Sequence, residues 1–185
     1  MNKIFSPLLF AGKVNIVTGG GTGIGYHVAK GLVELGSKVV IASRKEATIM
    51  EAVENLRKEA ADERQVLGLQ CDIRDRESVR QMVSKTLDEF GRLDGLCNNG
   101  GGQFTSKAQS ISSNGWDSVV GTNLYGTWNC MQEAFEQHMR DHGGHIVNIV
   151  TTNRTGMGGM SHTSAARAGV KSLSQSIGVE VTLTR

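Results

Sequence analysis

The sequence has a single proline among its 185 residues and no large excess of charge, with 20 basic and 18 acidic side chains. No window is rich in Lys and Arg, so the basic surface that nucleic-acid binding requires is missing. No apolar run approaches the roughly 20 residues that span a bilayer. The composition therefore argues against nucleic-acid and membrane partners and predicts one globular domain over residues 1–185.

Cysteine is also scarce, and its three copies, Cys71, Cys97 and Cys130, lie far apart. An odd number of distant cysteines is typical of reduced thiols in an intracellular compartment, and nothing pairs them as metal ligands. His138 and His142 lie one helical turn apart, but a helix carboxyl end explains them better than a metal site. The first ten residues lack the pattern of a signal peptide. We therefore expect an intracellular protein without a metal.

Glycine, in contrast, is abundant, with 24 residues, and short apolar runs alternate with helical patterns. Val- and Ile-rich runs predict strands at 13–18, 38–42, 65–70, 93–97 and 145–150. Apolar residues at helical spacing predict helices over 23–35, 46–60, 75–90, 113–141 and 163–178. Continuous apolar strands, each followed by a helix, are typical of a parallel sheet covered on both faces. The pattern predicts an α/β fold of three layers, a doubly wound parallel sheet of the Rossmann type.

The carboxyl end departs from a complete fold of this type. Five strands are predicted, whereas two complete βαβαβ halves supply six, so we expect truncation after the fifth strand and its following helix. Residues 179–185 alternate apolar and polar as a strand does, but no loop separates them from the helix, and their state stays open. Without a sixth strand, residues 145–150 would form an apolar edge that a stable protein must cover.

The segment TGGGTGIG at 18–25 lies between the first predicted strand and helix. Glycine allows a tight turn and a close approach of backbone to pyrophosphate, and the helix N-terminus attracts negative charge. In this setting the pattern predicts a dinucleotide site, the alternative being a glycine-rich turn without a ligand. The candidate residues are Thr18, Gly19, Gly21, Thr22, Gly23, Ile24 and Gly25.

The end of the second strand points to the cofactor. A carboxylate at this place bonds the ribose 2′-hydroxyl of NAD and repels a 2′-phosphate. The sequence has Ser43, Arg44 and Lys45 instead. A hydroxyl and two cations favour NADP(H), because guanidinium and ammonium groups pair with phosphate oxygens. The alternative is that both cations are solvated charges at a helix start.

Three further motifs complete a pattern: Cys71-Asp72-Ile73, NNGGG at 98–102, and Thr122-Asn123-Leu124. With them the chain resembles the short-chain dehydrogenase/reductase family from about residue 8 to 180. NNGGGQF at 98–104, GW at 115–116 and AARAGV at 165–170 resemble its branch of peroxisomal trans-2-enoyl-CoA reductases.

The resemblance implies roles for single residues. Asp72 and Ile73 would contact the adenine, and Asn123 would help to organise the active site. Asn99 and Gly100 would line the cofactor ribose, and Gly101 is a further candidate for cofactor binding. From the residues alone, Asp72 could equally cap a helix and Asn123 could face solvent.

One departure from the family bears on the chemistry. Most members have a catalytic tyrosine four residues before a lysine, where this chain has Thr163 and Arg167. Tyr26 with Lys30 has the same spacing, but it follows the phosphate turn and belongs to the adenine half. Arginine does not deprotonate in proteins, so we expect Arg167 to clamp the nicotinamide ribose rather than to carry a proton. The reductase branch is similar in having an arginine there, although it has a tyrosine where this chain has Lys171.

Reduction of an enoyl thioester builds negative charge on the thioester oxygen and requires one proton. The resemblance implies that Thr151 or Thr152 takes the place of the family's serine after the fifth strand, so we expect one of them to donate to that oxygen and Asn123 to organise water. His162 is a candidate acid because it titrates near neutral pH, the alternative being a surface or capping residue.

Together with the cations at 44–45, the resemblance to the reductase branch implies an NADPH-dependent reductase of trans-2-enoyl-CoA thioesters in fatty-acid metabolism. We expect an acyl-CoA substrate, a homo-oligomer, and a peroxisomal location by resemblance or a cytoplasmic one. One alternative is a truncated family member that binds cofactor or dimerises without turnover. Another is a reductase of 3-oxoacyl or ketone substrates.

Overall fold

The computed structural model describes residues 5–6, 8–151 and 155–183. Five parallel strands form one sheet in the order β3-β2-β1-β4-β5. Their bounds are β1 Val14–Thr18, β2 Lys38–Ser43, β3 Val66–Gln70, β4 Gly95–Asn98 and β5 His145–Asn148. All five predicted strands are present, and the last one ends two residues before its predicted end.

Helices follow each strand. The bounds are α1 Gly23–Glu34, α2 Glu46–Arg57, α3 Arg76–Phe90, α4 Ser113–Val120, α5 Gly126–Ala134, α6 Arg140–His142 and α7 Ser161–Leu183. The long helix predicted over 113–141 is interrupted by two π-helical segments, Gly121–Tyr125 and Phe135–Met139. Helix α7 includes residues 179–183, so the alternating pattern there is helical.

Two hydrophobic cores, one on each face of the sheet, explain the apolar strands. Ile16 packs with side chains of α3 and α5, whereas Val17 packs with those of α1 and α2. Because successive side chains of a strand point to opposite faces, both faces must be apolar to be covered. This arrangement confirms the predicted doubly wound fold of three layers.

The outer edge of β5 is apolar, as predicted. Val147 is 56% exposed and Val150, just after the strand, is 46% exposed. A groove of about 650 Å³ lies beside this edge, with Met131, Ile146 and Ile177 in its wall.

No helix within the described ranges is long and apolar enough to cross a membrane.

The histidine pair lies at a helix end, as its spacing indicates. The rings of His138 and His142 stack with centroids 4.2 Å apart, and Gly143 ends α6 with a φ of 72°. In the part of the chain that the structure describes, no three His, Cys, Asp or Glu side chains are grouped as metal ligands.

Candidate active site

The carboxyl ends of β1 and β4 are joined by hydrogen bonds at the point where the strand order reverses. The Thr18 hydroxyl accepts from the N–H groups of Asn99 and Gly100 at 3.1 and 2.9 Å. The Asn99 side-chain amide donates to the carbonyls of Thr18 and Gly19, both at 3.2 Å. Ligands of open α/β sheets bind at such a switch point, outside the carboxyl ends of the strands.

The turn after β1 has room only for glycine at its closest points. Gly19 has a φ of +64°, and a Cβ at Gly25 would overlap the Gly19 carbonyl and the Asn99 amide. Thr22 is the N-cap of α1, yet its side chain makes no capping hydrogen bond. The backbone N–H groups at this helix start are therefore suited to an anion such as a phosphate.

A cleft of about 240 Å³ opens beside this turn. Nine of the predicted cofactor residues line it: Gly19, Thr22, Ser43, Arg44, Asp72, Ile73, Asn99, Gly100 and Gly101. Three further lining residues, Ala42, Cys71 and Thr122, were not predicted to bind the cofactor, although Cys71 and Thr122 belong to the family motifs. The remaining candidates of the turn, Thr18, Gly21, Gly23, Ile24 and Gly25, shape or flank it, and Lys45 is the exposed N-cap of α2.

Arg44 is an exposed cation at the mouth of this cleft. Among the residues that the structure describes, no carboxylate lies within ion-pair distance of its guanidinium. The Gln70 side-chain amide donates to the Arg44 carbonyl at 2.9 Å, which links the loop to β3. An unpaired guanidinium at this place can bind a phosphate.

Asp72 does not cap a helix. The N-cap of α3 is Asp75, whose carboxylate accepts from the Glu77 N–H at 3.0 Å. The hydrogen bond from the Arg74 guanidinium lowers the pKa of Asp72, partial burial opposes it, and the Arg74 N–H adds to the lowering. Asp72 is therefore an ionised residue of the cleft wall.

Arg167 and Asn123 meet at Gly101, on the other side of the cleft. A Cβ at Gly101 would lie 2.6 Å from Asn123 Oδ1 and closer still to the Arg167 guanidinium. Arg167 is 9% exposed and donates to the Ile149 carbonyl at 2.8 Å. Burial lowers the pKa of its guanidinium, but arginine keeps its charge in proteins. The structure thus brings a buried cation to the loop after β4.

Asn123 does not face solvent, since it is 1% exposed. Its side-chain amide donates to the carbonyls of Gly102 and Val119 at 2.6 and 2.9 Å. It lies in the first π-helical segment, where the widened turn also carries Thr122 into the cleft wall. Such segments inside α-helices occur frequently at functional sites.

His162 is not a surface residue, because it is fully buried. Its Nδ1 accepts from the Thr163 N–H at 2.9 Å, so the proton of a neutral ring is on Nε2. Nε2 has no hydrogen-bond partner among the described residues. The ring packs edge-to-face against Phe104, with centroids 4.5 Å apart. Phe104 is a contact that sequence patterns did not indicate.

The loops after β4 and β5 are also joined to each other. The Ser106 N–H donates to the Gly159 carbonyl at 2.8 Å. Thr151 is half-buried at the start of the second loop, two residues after the carbonyl that Arg167 binds. Thr152, the other candidate donor, lies outside the described residues.

Comparison with known proteins shows which proteins the chain is similar to. The short chain dehydrogenase family model matches residues 13–185. A peroxisomal 2,4-dienoyl-CoA reductase of Danio rerio is 36% identical over 97% of this chain and 61% of its own length. A probable 2,4-dienoyl-CoA reductase of Bacillus subtilis is 38% identical over 91% of this chain and 66% of its own length. The chain thus spans about three fifths of the length of the first of these relatives.

Two solved structures that superpose on this chain are also a dehydrogenase and a reductase. A citronellol catabolism dehydrogenase of Pseudomonas aeruginosa superposes with a TM-score of 0.92 at 37% identity, covering 98% of this chain and 74% of that one. A variant of actinorhodin polyketide ketoreductase, crystallised with NADPH, superposes with a TM-score of 0.87 at 27% identity, covering 96% and 67%.

Proposed function

Because this chain belongs to the short-chain dehydrogenase/reductase family, we propose that it binds NADP(H) at the β1–β4 switch point and reduces trans-2-enoyl-CoA thioesters. The observation that carries the proposal is the buried Arg167 guanidinium beside Gly101, in a chain that has Thr163 in place of the family tyrosine. Carbonyl reduction would need the tyrosine proton on oxygen, whereas enoyl reduction places its proton on carbon.

The cofactor fits the residues present. The turn after β1 excludes side chains at Gly19 and Gly25 and would hold the pyrophosphate through backbone N–H groups. Asp72 and Ile73 would bind the adenosine half, with Asn99 and Gly100 along the ribose. Arg44, with Ser43 and Lys45, would bind a 2′-phosphate, which favours NADP(H) over NAD(H). When bound, the nicotinamide supplies hydride to the β-carbon of the thioester.

Side chains of this chain would bind the nicotinamide half of the cofactor and stabilise the reacting thioester. Arg167 would hold the nicotinamide ribose and contribute positive potential near the developing negative charge. Thr151 or Thr152 would donate a hydrogen bond to the thioester oxygen as it becomes an enolate. Asn123 holds the 101–102 backbone, and its Oδ1 would contact an ordered water. His162 is the proposed acid toward the α-carbon; it would act from the cationic imidazolium form, which returns to the neutral ring when one proton passes to carbon.

The substrate class draws on the relatives. Two of them are named for reduction of 2,4-dienoyl-CoA. Such a dienoyl thioester gains hydride at its δ-carbon and a 2-enoyl thioester at its β-carbon, but in both the negative charge passes by conjugation to the thioester oxygen. The peroxisomal relative also supports a peroxisomal location in fatty-acid metabolism, with the cytoplasm as the other compartment. We further propose a homo-oligomer, a dimer or a tetramer.

The proposed reaction is tested with the purified chain, NADPH and three thioesters. We expect NADPH oxidation with crotonyl-CoA, because the site stabilises an enolate and lacks the family tyrosine. Hexadienoyl-CoA tests the activity for which the relatives are named. Turnover of acetoacetyl-CoA instead would indicate a ketone reductase. If the chain binds NADPH but none of the three thioesters leads to NADPH oxidation, the result indicates a cofactor-binding protein without turnover.

Cofactor selection is tested at Arg44. In Arg44→Ala we expect the Kd for NADPH to rise about 10- to 30-fold, because a charge-assisted bond to the 2′-phosphate is lost. The Kd for NADH should change by less than about twofold, since that cofactor has no such phosphate. Arg64→Ala, which removes an exposed arginine paired with Asp62, is the matched control. Equal losses for both cofactors, measured by fluorescence titration, would refute 2′-phosphate binding by Arg44.

A further inference from the structure

We propose that Asn129, on α5, is a positioning residue that sets adenosine affinity by holding the loop after β3. Its side-chain amide donates to the Ile73 carbonyl at 2.9 Å and to the Arg74 carbonyl at 3.3 Å. No sequence pattern indicates this role, because Asn129 is more than fifty residues from the loop that it contacts. The inference rests on the proposed binding of NADP(H) in the cleft.

The loop that Asn129 holds is a wall of the cleft, since Asp72 and Ile73 line it. It follows β3, which is the outermost strand on that side of the sheet. The loop therefore has no neighbouring strand beyond β3 to support it, and its position depends on contacts from helices. Within the loop, Arg74 binds Asp72, but this pair is local and does not fix the loop to the rest of the fold.

Helix α5 contacts Ile73 in two ways. One turn before Asn129 lies Gly126, where a Cβ would come within 2.6 Å of the Ile73 side chain. The absence of a side chain at Gly126 lets Ile73 pack against the helix, and Asn129 binds the carbonyl of the same residue. Side chain and backbone of Ile73 are thus both placed by one turn of α5.

Helix α5 is itself joined to α3 by an ion pair. Glu133, one turn after Asn129, is 4% exposed in its side chain and pairs with Arg76 of α3 at 2.6 Å. The Gln137 side-chain amide donates to the second Glu133 oxygen at 3.0 Å. Because this ion pair joins α5 to the start of α3, Asn129 holds the 72–74 loop from a helix that is anchored outside the loop.

Loss of the Asn129 amide would release the Ile73 and Arg74 carbonyls and let the cleft wall shift. The adenosine half would then bind less tightly, whereas the reaction half at Gly101, Asn123 and Arg167 would keep its own contacts. A change confined to one half of the cofactor distinguishes positioning of this loop from a general loss of stability.

The experiment compares Asn129→Ala with the wild-type chain. We expect the Kd for NADPH and for 2′,5′-ADP, measured by calorimetry, to rise about 5- to 20-fold, because up to two hydrogen bonds are lost. The kcat should stay within about twofold, and so should kcat/KM with reduced nicotinamide mononucleotide, which lacks adenosine. Asn129→Asp keeps the size but presents oxygens to both carbonyls, so its loss should be at least as large. If Asn129→Ala does not fold, Asn129→Asp carries the test.

Asn55→Ala is the matched control, since Asn55 is an exposed asparagine of helix α2 whose side-chain oxygen accepts from its neighbour Lys58. An unchanged Kd for 2′,5′-ADP in Asn129→Ala would overturn the inference and leave the proposed function standing. Equal losses with 2′,5′-ADP and with the mononucleotide would also overturn it, because they indicate a general structural effect. If the wild-type chain binds neither NADPH nor NADH, the proposed function fails first and the inference with it.

Discussion

Arg167→Met is expected to lower kcat/KM with NADPH and crotonyl-CoA by about 100-fold or more, the scale seen when a buried electrostatic group of an active site is removed. Methionine replaces the apolar stem of the arginine side chain but has no charged group, so the variant removes the guanidinium from beside Gly101 and keeps the packing of the stem. The Ile149 carbonyl also loses its donor, for which we expect a stability loss of about 1–2 kcal/mol. Steady-state kinetics and thermal unfolding measure the two effects separately.

Two further variants define the role of Arg167. Arg167→Lys keeps a positive charge but loses the planar fork, so we expect an intermediate activity. Arg140→Met, which removes an exposed arginine of α6 that pairs with its neighbour Asp141, should keep wild-type kinetics. Activity of Arg167→Met within about threefold of the wild type would exclude the arginine from the reaction.

Gly25→Ala should weaken NADPH binding on the order of 100-fold, because displacement of a binding group by about 1 Å has effects of this size. The added methyl would overlap the Gly19 carbonyl and the Asn99 amide, both of which are fixed by the β1–β4 hydrogen bonds. The turn would have to open to remove this overlap, and we expect the free energy of unfolding to fall by about 1–3 kcal/mol. Fluorescence titration with NADPH and chemical denaturation give both values.

Gly31→Ala is the matched control on the same helix. A Cβ at Gly31 would meet nothing within 4 Å beyond the helix itself, so alanine should stabilise α1 by up to about 1 kcal/mol. NADPH affinity should be unchanged in this variant. Equal affinities of Gly25→Ala and Gly31→Ala would show that the cofactor does not use the turn.

Local sequence patterns predicted the strands and helices well, because neighbouring residues determine where each of them forms. Val- and Ile-rich runs such as residues 38–42 are buried on both faces, and this requirement is visible in the run itself. The glycines of 18–25 were recognised for the same reason, since Gly19 has a backbone conformation that side chains rarely adopt. Helix ends were less certain: α7 extends to Leu183 because no loop or capping residue stops it at Gly178.

Contacts between distant segments were not predictable in this way. Asp72 had the pattern of a helix cap, but Asp75 takes that position. Asp72 instead accepts a hydrogen bond from the Arg74 guanidinium, which depends on how the two side chains are oriented in the loop. From the sequence, His162 could be a surface residue, but its ring is buried against Phe104, which lies in another loop. The π-helical turn around Asn123 also has no established sequence signature here.

By itself, the sequence determined the alternation of strands and helices, the doubly wound sheet, and the glycine turn followed by cations, because periodicity and backbone freedom are properties of neighbouring residues. Only the tertiary structure decided that Arg167 and Asn123 meet at Gly101 and that Asn129 supports the loop of Asp72 and Ile73. Those contacts join residues tens of positions apart, and they exist only because strand order and helix packing bring the segments together.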